Sequence, residues 1–163
     1  MDKSGFAPAT MKVTMLLADA AQAINGKLYI LGGGWSVTGP DPNPMAIAIK
    51  IEVPWDEANR RHVLKLALLD ADGQPVMVPT PTGDRAVEIS GDFEVGRPPG
   101  LKPGTPLDVA MGINMGPLPL QPGGRYVWRC SIDDKLSEDW QVAFTTRSAQ
   151  QPGGGQGGSP PSG

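Results

Sequence analysis

Residues 45–53 read MAIAIKIEV. Met45, Ile47, Ile49, Ile51 and Val53 take the odd positions, and Ala46, Ala48, Lys50 and Glu52 the even ones. Successive side chains of a β-strand point to opposite faces, so this alternation specifies a strand with one apolar and one wetter face. The same period recurs along the chain. Leu64, Leu66 and Leu68 alternate with Val63, Lys65 and Ala67, and Val87, Ile89, Phe93 and Val95 share a parity broken only by Gly91. Leu107, Val109, Met111, Ile113 and Met115 form a further stripe; Tyr126, Trp128, Cys130 and Ile132 another; Trp140, Val142 and Phe144 the last. No long segment carries the i, i+3, i+4, i+7 spacing of an amphipathic helix.

Turn residues punctuate these stripes. Asn25-Gly26 is the favoured type I′ hairpin pair, Asp72-Gly73 follows LKLALLDA, and Pro-Gly pairs stand at 99–100, 103–104 and 122–123. The pattern predicts about eight strands, near 11–19, 27–37, 45–53, 62–70, 85–95, 106–115, 125–132 and 140–146. An all-β, antiparallel two-sheet sandwich is the simplest way to bury that many one-sided strands, with a closed β-barrel as the alternative. LQPGGRYVW, residues 120–128, resembles the tyrosine corner of Greek-key sandwiches, with Tyr126 just inside a strand. An immunoglobulin-like Greek key is therefore expected. Cys130, four residues after Tyr126 and without a partner cysteine, excludes a true immunoglobulin domain.

Composition narrows the function. The 163 residues carry a net charge of −3, and their 14 lysines and arginines are scattered, so a nucleic-acid partner is not expected. No run approaches the ~18 apolar residues of a membrane span. Residues 11–23, MKVTMLLADAAQA, faintly mimic a signal peptide, but Thr14 and Asp19 interrupt the apolar stretch. One cysteine permits no intrachain disulfide, so a cytoplasmic setting is expected. Residues 1–10 lack periodicity, and 149–163, AQQPGGGQGGSPPSG, have no large apolar side chain. Both are expected to be disordered, leaving one domain over 11–148.

Two stretches invite a functional reading. KLYILGGGWSVTG, residues 27–39, runs from a strand through three glycines. A phosphate-binding glycine loop opens a helix, and the prolines that follow Gly34 forbid one. A bulge, a bend between sheets, or bare backbone under a neighbouring ring explains the run better, with a groove floored by Gly33 beside Trp35 as the functional alternative. VPWDEANRRH, residues 53–62, suits a single helical turn opened by Pro54, with Trp55 plugging one end of the sandwich. Its functional reading is an interaction patch of Trp55, Glu57, Arg60, Arg61 and His62, joined by Gly33 and Trp35, since tryptophan and arginine are enriched at interface hot spots.

Catalytic and metal chemistry find little support. Asp70 and Asp72 begin like a calcium loop but lack its distal glutamate. One histidine and one cysteine build no zinc site, and the parity of Cys130 places it on the apolar face, away from any dyad with His62. Glu52, Glu57, Asp133, Asp134 and Glu138 offer carboxylates, but no spacing selects a pair. No catalytic residue, cofactor or metal is expected.

MLLADAAQAINGKLYILGGGW (15–35), VPWDEANRRH and LALLDADGQPV (66–76) together resemble an uncharacterised bacterial family of small β proteins, found in actinobacteria and phages. That family has no assigned activity, so the resemblance implies no catalytic residues. The expected function is a non-enzymatic protein-interaction or assembly module, with a protein partner or self-association. The alternatives are a phage or particle structural protein, virion-associated if phage-encoded, and a carbohydrate or small-ligand binder stacking on Trp35, Trp55 or Trp140.

Overall fold

Most alternating segments become strands where their period places them, but the expected strand 85–95 is divided at Val87 between a two-stranded ribbon and the five-stranded sheet. The computed structural model describes residues 10–149, so the segments expected to be disordered fall outside it, apart from Thr10 and Ala149. The first half of the chain holds β1 (Lys12–Ala18), β2 (Ala20–Ile24), β3 (Lys27–Leu31), β4 (Val37–Thr38), β5 (Met45–Val53) and a 3₁₀ turn (Trp55–Glu57). It continues with β6 (His62–Asp70), β7 (Met77–Thr80), β8 (Gly83–Ala86), β9 (Glu88–Phe93), β10 (Leu107–Met115), β11 (Arg125–Ile132) and β12 (Gln141–Thr146). The fold is all-β. Among the described residues, no helix is long and apolar enough to cross a membrane.

Three strands form one sheet in the order β1-β5-β10, and five form another in the order β4-β12-β11-β6-β9. Every pair is antiparallel except β4 with β12. Neither sheet closes on itself, which corrects the barrel alternative. One core draws on both sheets: Leu17, Ile47, Ile49, Ile51, Val53 and Leu107 from the first, with Leu64, Leu66, Leu68, Trp128, Cys130 and Phe144 from the second. Each such aliphatic side chain contributes about 1.5–3 kcal/mol on burial. An exposed pair such as Lys12–Glu52, at 3.8 Å, is worth about 0–1 kcal/mol, so burial sets the fold.

Two antiparallel ribbons, β2–β3 and β7–β8, raise the strand count to twelve. The first changes the meaning of MAIAIKIEV. Ala46 and Ala48, on the face expected to be wet, are buried with Ala18 and Ala21 beneath Leu28 and Ile30. The β2–β3 ribbon lies across the outer face of the three-stranded sheet, and small side chains let it settle there. Closest approach falls at Gly112, where a Cβ would stand 2.7 Å from the Ala21 carbonyl carbon and oxygen. Beside it the Asn114 side chain grips the ribbon backbone. Its Nδ2 donates to the Ala21 carbonyl at 2.7 Å, and its Oδ1 accepts from the Ala21 N–H at 3.0 Å.

The corner around Tyr126 also follows from local chemistry. The Gln121 N–H donates to the Tyr126 hydroxyl at 2.9 Å, and the ring stacks on Phe144 with centroids 5.5 Å apart. Gly124 makes room for this: a Cβ there would lie 2.9 Å from the tyrosine ring.

Candidate functional site

The glycine run is a crossover between layers. β3 stops at Leu31 because Gly32 and Gly34 take left-handed φ values of 58° and 91°, which end an extended strand. The turned backbone is held by β1: the Asp19 N–H donates to the Leu31 and Gly32 carbonyls, and the Gly34 N–H to the Leu17 carbonyl at 2.7 Å. Gly33 lies under the Ile30 side chain, whose Cγ2 would be 2.5 Å from an added Cβ. Trp35 then turns inward, packing edge-on against Phe144 at 6.0 Å. The run carries the chain from the ribbon to β4 on the five-stranded sheet.

The second stretch forms the connection from β5 to β6. Pro54 precedes the 3₁₀ turn, and Asn59, in the left-handed region at φ 59°, ends the connection with its N–H on the Val95 carbonyl. Trp55 is half-buried against the core, so it closes this end of the molecule while keeping an edge in solvent. The Arg97 guanidinium sits 4.8 Å from the Trp55 ring centre and donates to the Trp55 carbonyl at 2.7 Å and 3.2 Å. Arg60 pairs with Glu57 at 3.0 Å, and Arg61 with Asp92.

Gly33 and Trp35 do not join this patch. The glycine run is fastened beside Ala18, which pairs with Ala46, whereas Trp55 follows Val53. Seven residue steps along β5 separate the two places, about 23 Å at ~3.3 Å per residue. Of the tryptophans considered as stacking platforms, Trp140 is buried and Trp35 is committed to Phe144, which leaves Trp55.

His62 makes the tightest polar contacts at this end. Its side chain is 3% exposed and stacks on Phe93 at 5.2 Å. Nδ1 lies 2.7 Å from the Asp133 carboxylate, and Nε2 lies 2.9 Å from the Glu57 carbonyl oxygen. A carboxylate and a carbonyl can only accept, so satisfying both requires both ring nitrogens to carry protons. The imidazolium is thus the form of His62 that satisfies both contacts at once. Burial opposes that charge, but the hydrogen bonds to Asp133 and Glu57, with the charges of both residues, outweigh it and raise its pKa above 6.5. Burial likewise opposes the Asp133 charge, yet the bonds from His62 and from the Val63 N–H hold its pKa below 3.8.

Asp133 and Asp134 stand at φ 52° and 63°, so both central residues of the turn closed by Ile132 and Lys135, the start of the β11–β12 connection, are left-handed. This turn and the 3₁₀ connection flank a cleft of about 470 Å³ whose walls include Glu57, Asp133, Lys135, Leu136 and Trp140. Leu136 is 61% exposed at its rim.

Sequence spacing did not single out Asp133 or Arg97. A consecutive Asp-Asp after a strand is a usable signal for a left-handed turn, because aspartate tolerates φ > 0. Nothing local marks Arg97, which reaches Trp55 from 42 positions away. Asp70 serves its own turn, its Oδ1 accepting from the N–H groups of Asp72 and Gln74. Cys130 is buried, and burial pushes its thiol up to about 11. Among the described residues, no group of three or more His, Cys, Asp or Glu side chains is placed to hold a metal ion.

No curated protein matches the sequence. Among solved structures, the chain is similar to the sensor domain of the anti-sigma factor RsgI4 in Pseudobacteroides cellulosolvens. The identity is 11% and the TM-score 0.34, over 86% of this chain and 95% of that one, a likeness too low to guide function. A family model matches residues 13–145, and the chain belongs to that family, DUF6941, a family of unknown function.

Proposed function

We propose that the chain is a non-enzymatic protein-interaction module of immunoglobulin-like build, meeting its partner through the end formed by the 3₁₀ connection and the β11–β12 turn. Lettering β1, β5, β6, β10, β11 and β12 as A, B, C, E, F and G gives sheets A-B-E and G-F-C, an immunoglobulin-type partition. Tyr126 takes the tyrosine-corner place at the start of F. In that lettering the 3₁₀ connection is B–C and the β11–β12 turn is F–G, and loops of these names form recognition surfaces in immunoglobulin variable domains. The observation that carries the reading is the gathering of half-buried Trp55 under Arg97, the Glu57–Arg60 pair and exposed Leu136 at one end. Aromatic and arginine anchors with an apolar neighbour are the composition of interface hot spots. The buried, lone Cys130 is compatible with a cytoplasmic setting, which belongs to the same proposal.

Affinity capture from the native cells tests it, using the parent, a doubly substituted Arg60→Glu/Leu136→Asp chain, and Leu31→Asp at the other end. The reading expects a stoichiometric protein retained by the parent and Leu31→Asp chains and lost by the double variant. Retention by the double variant contradicts it. A second reading, self-association into a larger particle, draws on the β2–β3 ribbon, where Leu31 and Tyr29 are 70% and 54% exposed. Sedimentation of the parent as an oligomer that Leu31→Asp dissolves would favour that reading.

A further inference from the structure

His62 does more than fill a space at the proposed interaction surface. It is the first residue of β6, yet its ring touches three other parts of the chain: the 3₁₀ turn through the Glu57 carbonyl, the β11–β12 turn through Asp133, and the end of β9 through Phe93. The two polar partners come from the two connections that form the surface, and each accepts one of the two ring protons.

We propose that His62 is a proton-operated clamp that couples the 3₁₀ connection to the β11–β12 turn when it is doubly protonated and releases one of them when it loses a proton to solvent. This rests on reading that end as the interaction surface, and makes the clamp the regulation of that surface. A neutral imidazole has one N–H, so it can satisfy Glu57 or Asp133 but not both. If the proton stays on Nε2, the Nδ1 lone pair faces the Asp133 carboxylate at 2.7 Å, and the turn is pushed away. If it stays on Nδ1, the Glu57 carbonyl loses its donor. Either loss weakens a segment that already holds left-handed non-glycine residues: Asp133 and Asp134 in the turn, Asn59 in the connection.

Charged groups surround the ring on each of these elements. On the 3₁₀ side, the Glu57 carboxylate stands 4.0 Å from Nε2 and is itself paired with Arg60. On the turn side, Lys135 acts on Asp133, while Asp134 is paired with Lys65 at 3.8 Å. From β9, the ring meets Phe93, and the neighbouring Asp92 is occupied by Arg61. His62 is the one histidine in the chain, so its titration can be followed without overlap. The cleft beside Leu136 is lined by both Glu57 and Asp133, so uncoupling them changes its shape.

Nuclear magnetic resonance titration of the isolated full chain tests the clamp. It would follow the His62 ring nitrogens together with the amides of Ala58, Val63 and Lys135, in the parent and in Asp133→Asn. Asparagine accepts left-handed φ, so the turn keeps its backbone while losing its charge. The clamp expects both ring nitrogens to be protonated at about pH 6, with one midpoint above the ordinary ~6.5 shared by the ring and the amides of both connections. It also expects that midpoint to fall in Asp133→Asn. A neutral ring at about pH 6, an unchanged midpoint in Asp133→Asn, or amides that stay still while the ring titrates would each overturn it. No partner is needed. A failed titration with successful capture at the Trp55 end removes the clamp and keeps the surface; the reverse pair of results keeps the coupling and removes the surface.

Discussion

At Ala46, the N-terminal end of β5, a ribbon lies on the sheet, and the residues between them are Ala18, Ala21, Ala48 and Gly112. Beyond Val53, the C-terminal end, Trp55, Glu57, His62, Asp133 and Arg97 gather, joined by side-chain bonds that tie together the β5–β6, β9–β10 and β11–β12 connections. One end is held by close backbone approach over small residues, pinned by the neutral Asn114 amide, the other by charged side chains that satisfy each other. The contrast teaches where to look for function. A close-packed backbone tolerates little change and offers little chemistry, whereas a bonded polar frame holds an aromatic and an exposed leucine ready for a partner. The glycine run, which reads like a ligand loop, belongs to the first kind.

The largest expected effect tests the packed end. Gly112→Val places a branched side chain against the Ala21 backbone and should cost about 3 kcal/mol in chemical denaturation. Stability equal to the parent would show that the ribbon does not dock there. At the bonded end, His62→Ala removes two charge-assisted hydrogen bonds and a stacked ring. Discounted for the 40% exposure of Asp133, its cost should be about 2 kcal/mol.

That cost should vary with pH. A raised histidine pKa gives stability that is fully present below 6.5 and is lost as pH rises through the raised value. A lowered aspartate pKa gives stability present above 3.8 and lost as pH falls through the lowered value. The gap between parent and His62→Ala should therefore be widest between 3.8 and 6.5, as measured by denaturation across pH. A gap that widens above neutrality would contradict the imidazolium. Asn114→Ala should follow at about 1–2 kcal/mol, because it leaves the Ala21 N–H and C=O without partners. Gly33→Ala should be smallest, about 1 kcal/mol, since the added Cβ meets one side-chain methyl, Ile30 Cγ2, which clears it only if the stiff Ile30 χ1 shifts. A loss comparable to Gly112→Val would mean that the crossover is as tightly packed as the ribbon.

Period-two alternation made the long strands legible. The expected bounds 45–53, 62–70 and 125–132 coincide with β5, β6 and β11, because each buries one full parity in the shared core. It failed where a strand owes its place to a neighbour. Ala20–Ile24 reads AAQAI, with no clear alternation, and is a strand because it pairs with β3 and lies on Gly112. The predicted strand 27–37 was too long, since periodicity carries no information on the left-handed φ at Gly32 and Gly34. Residues 53–62 were recognisable as one turn with an aromatic plug. The pairing of His62 with Asp133 was not, because it spans 71 positions and depends on how two connections meet in space.

The claim that this end meets the partner can be tested directly by amide hydrogen exchange of the chain alone and with the protein that co-purifies with it. The account predicts added protection at residues 55–62 and 133–137 in the complex, with residues 20–34 unchanged. Protection confined to residues 20–34 would contradict it and move the contact surface to the ribbon.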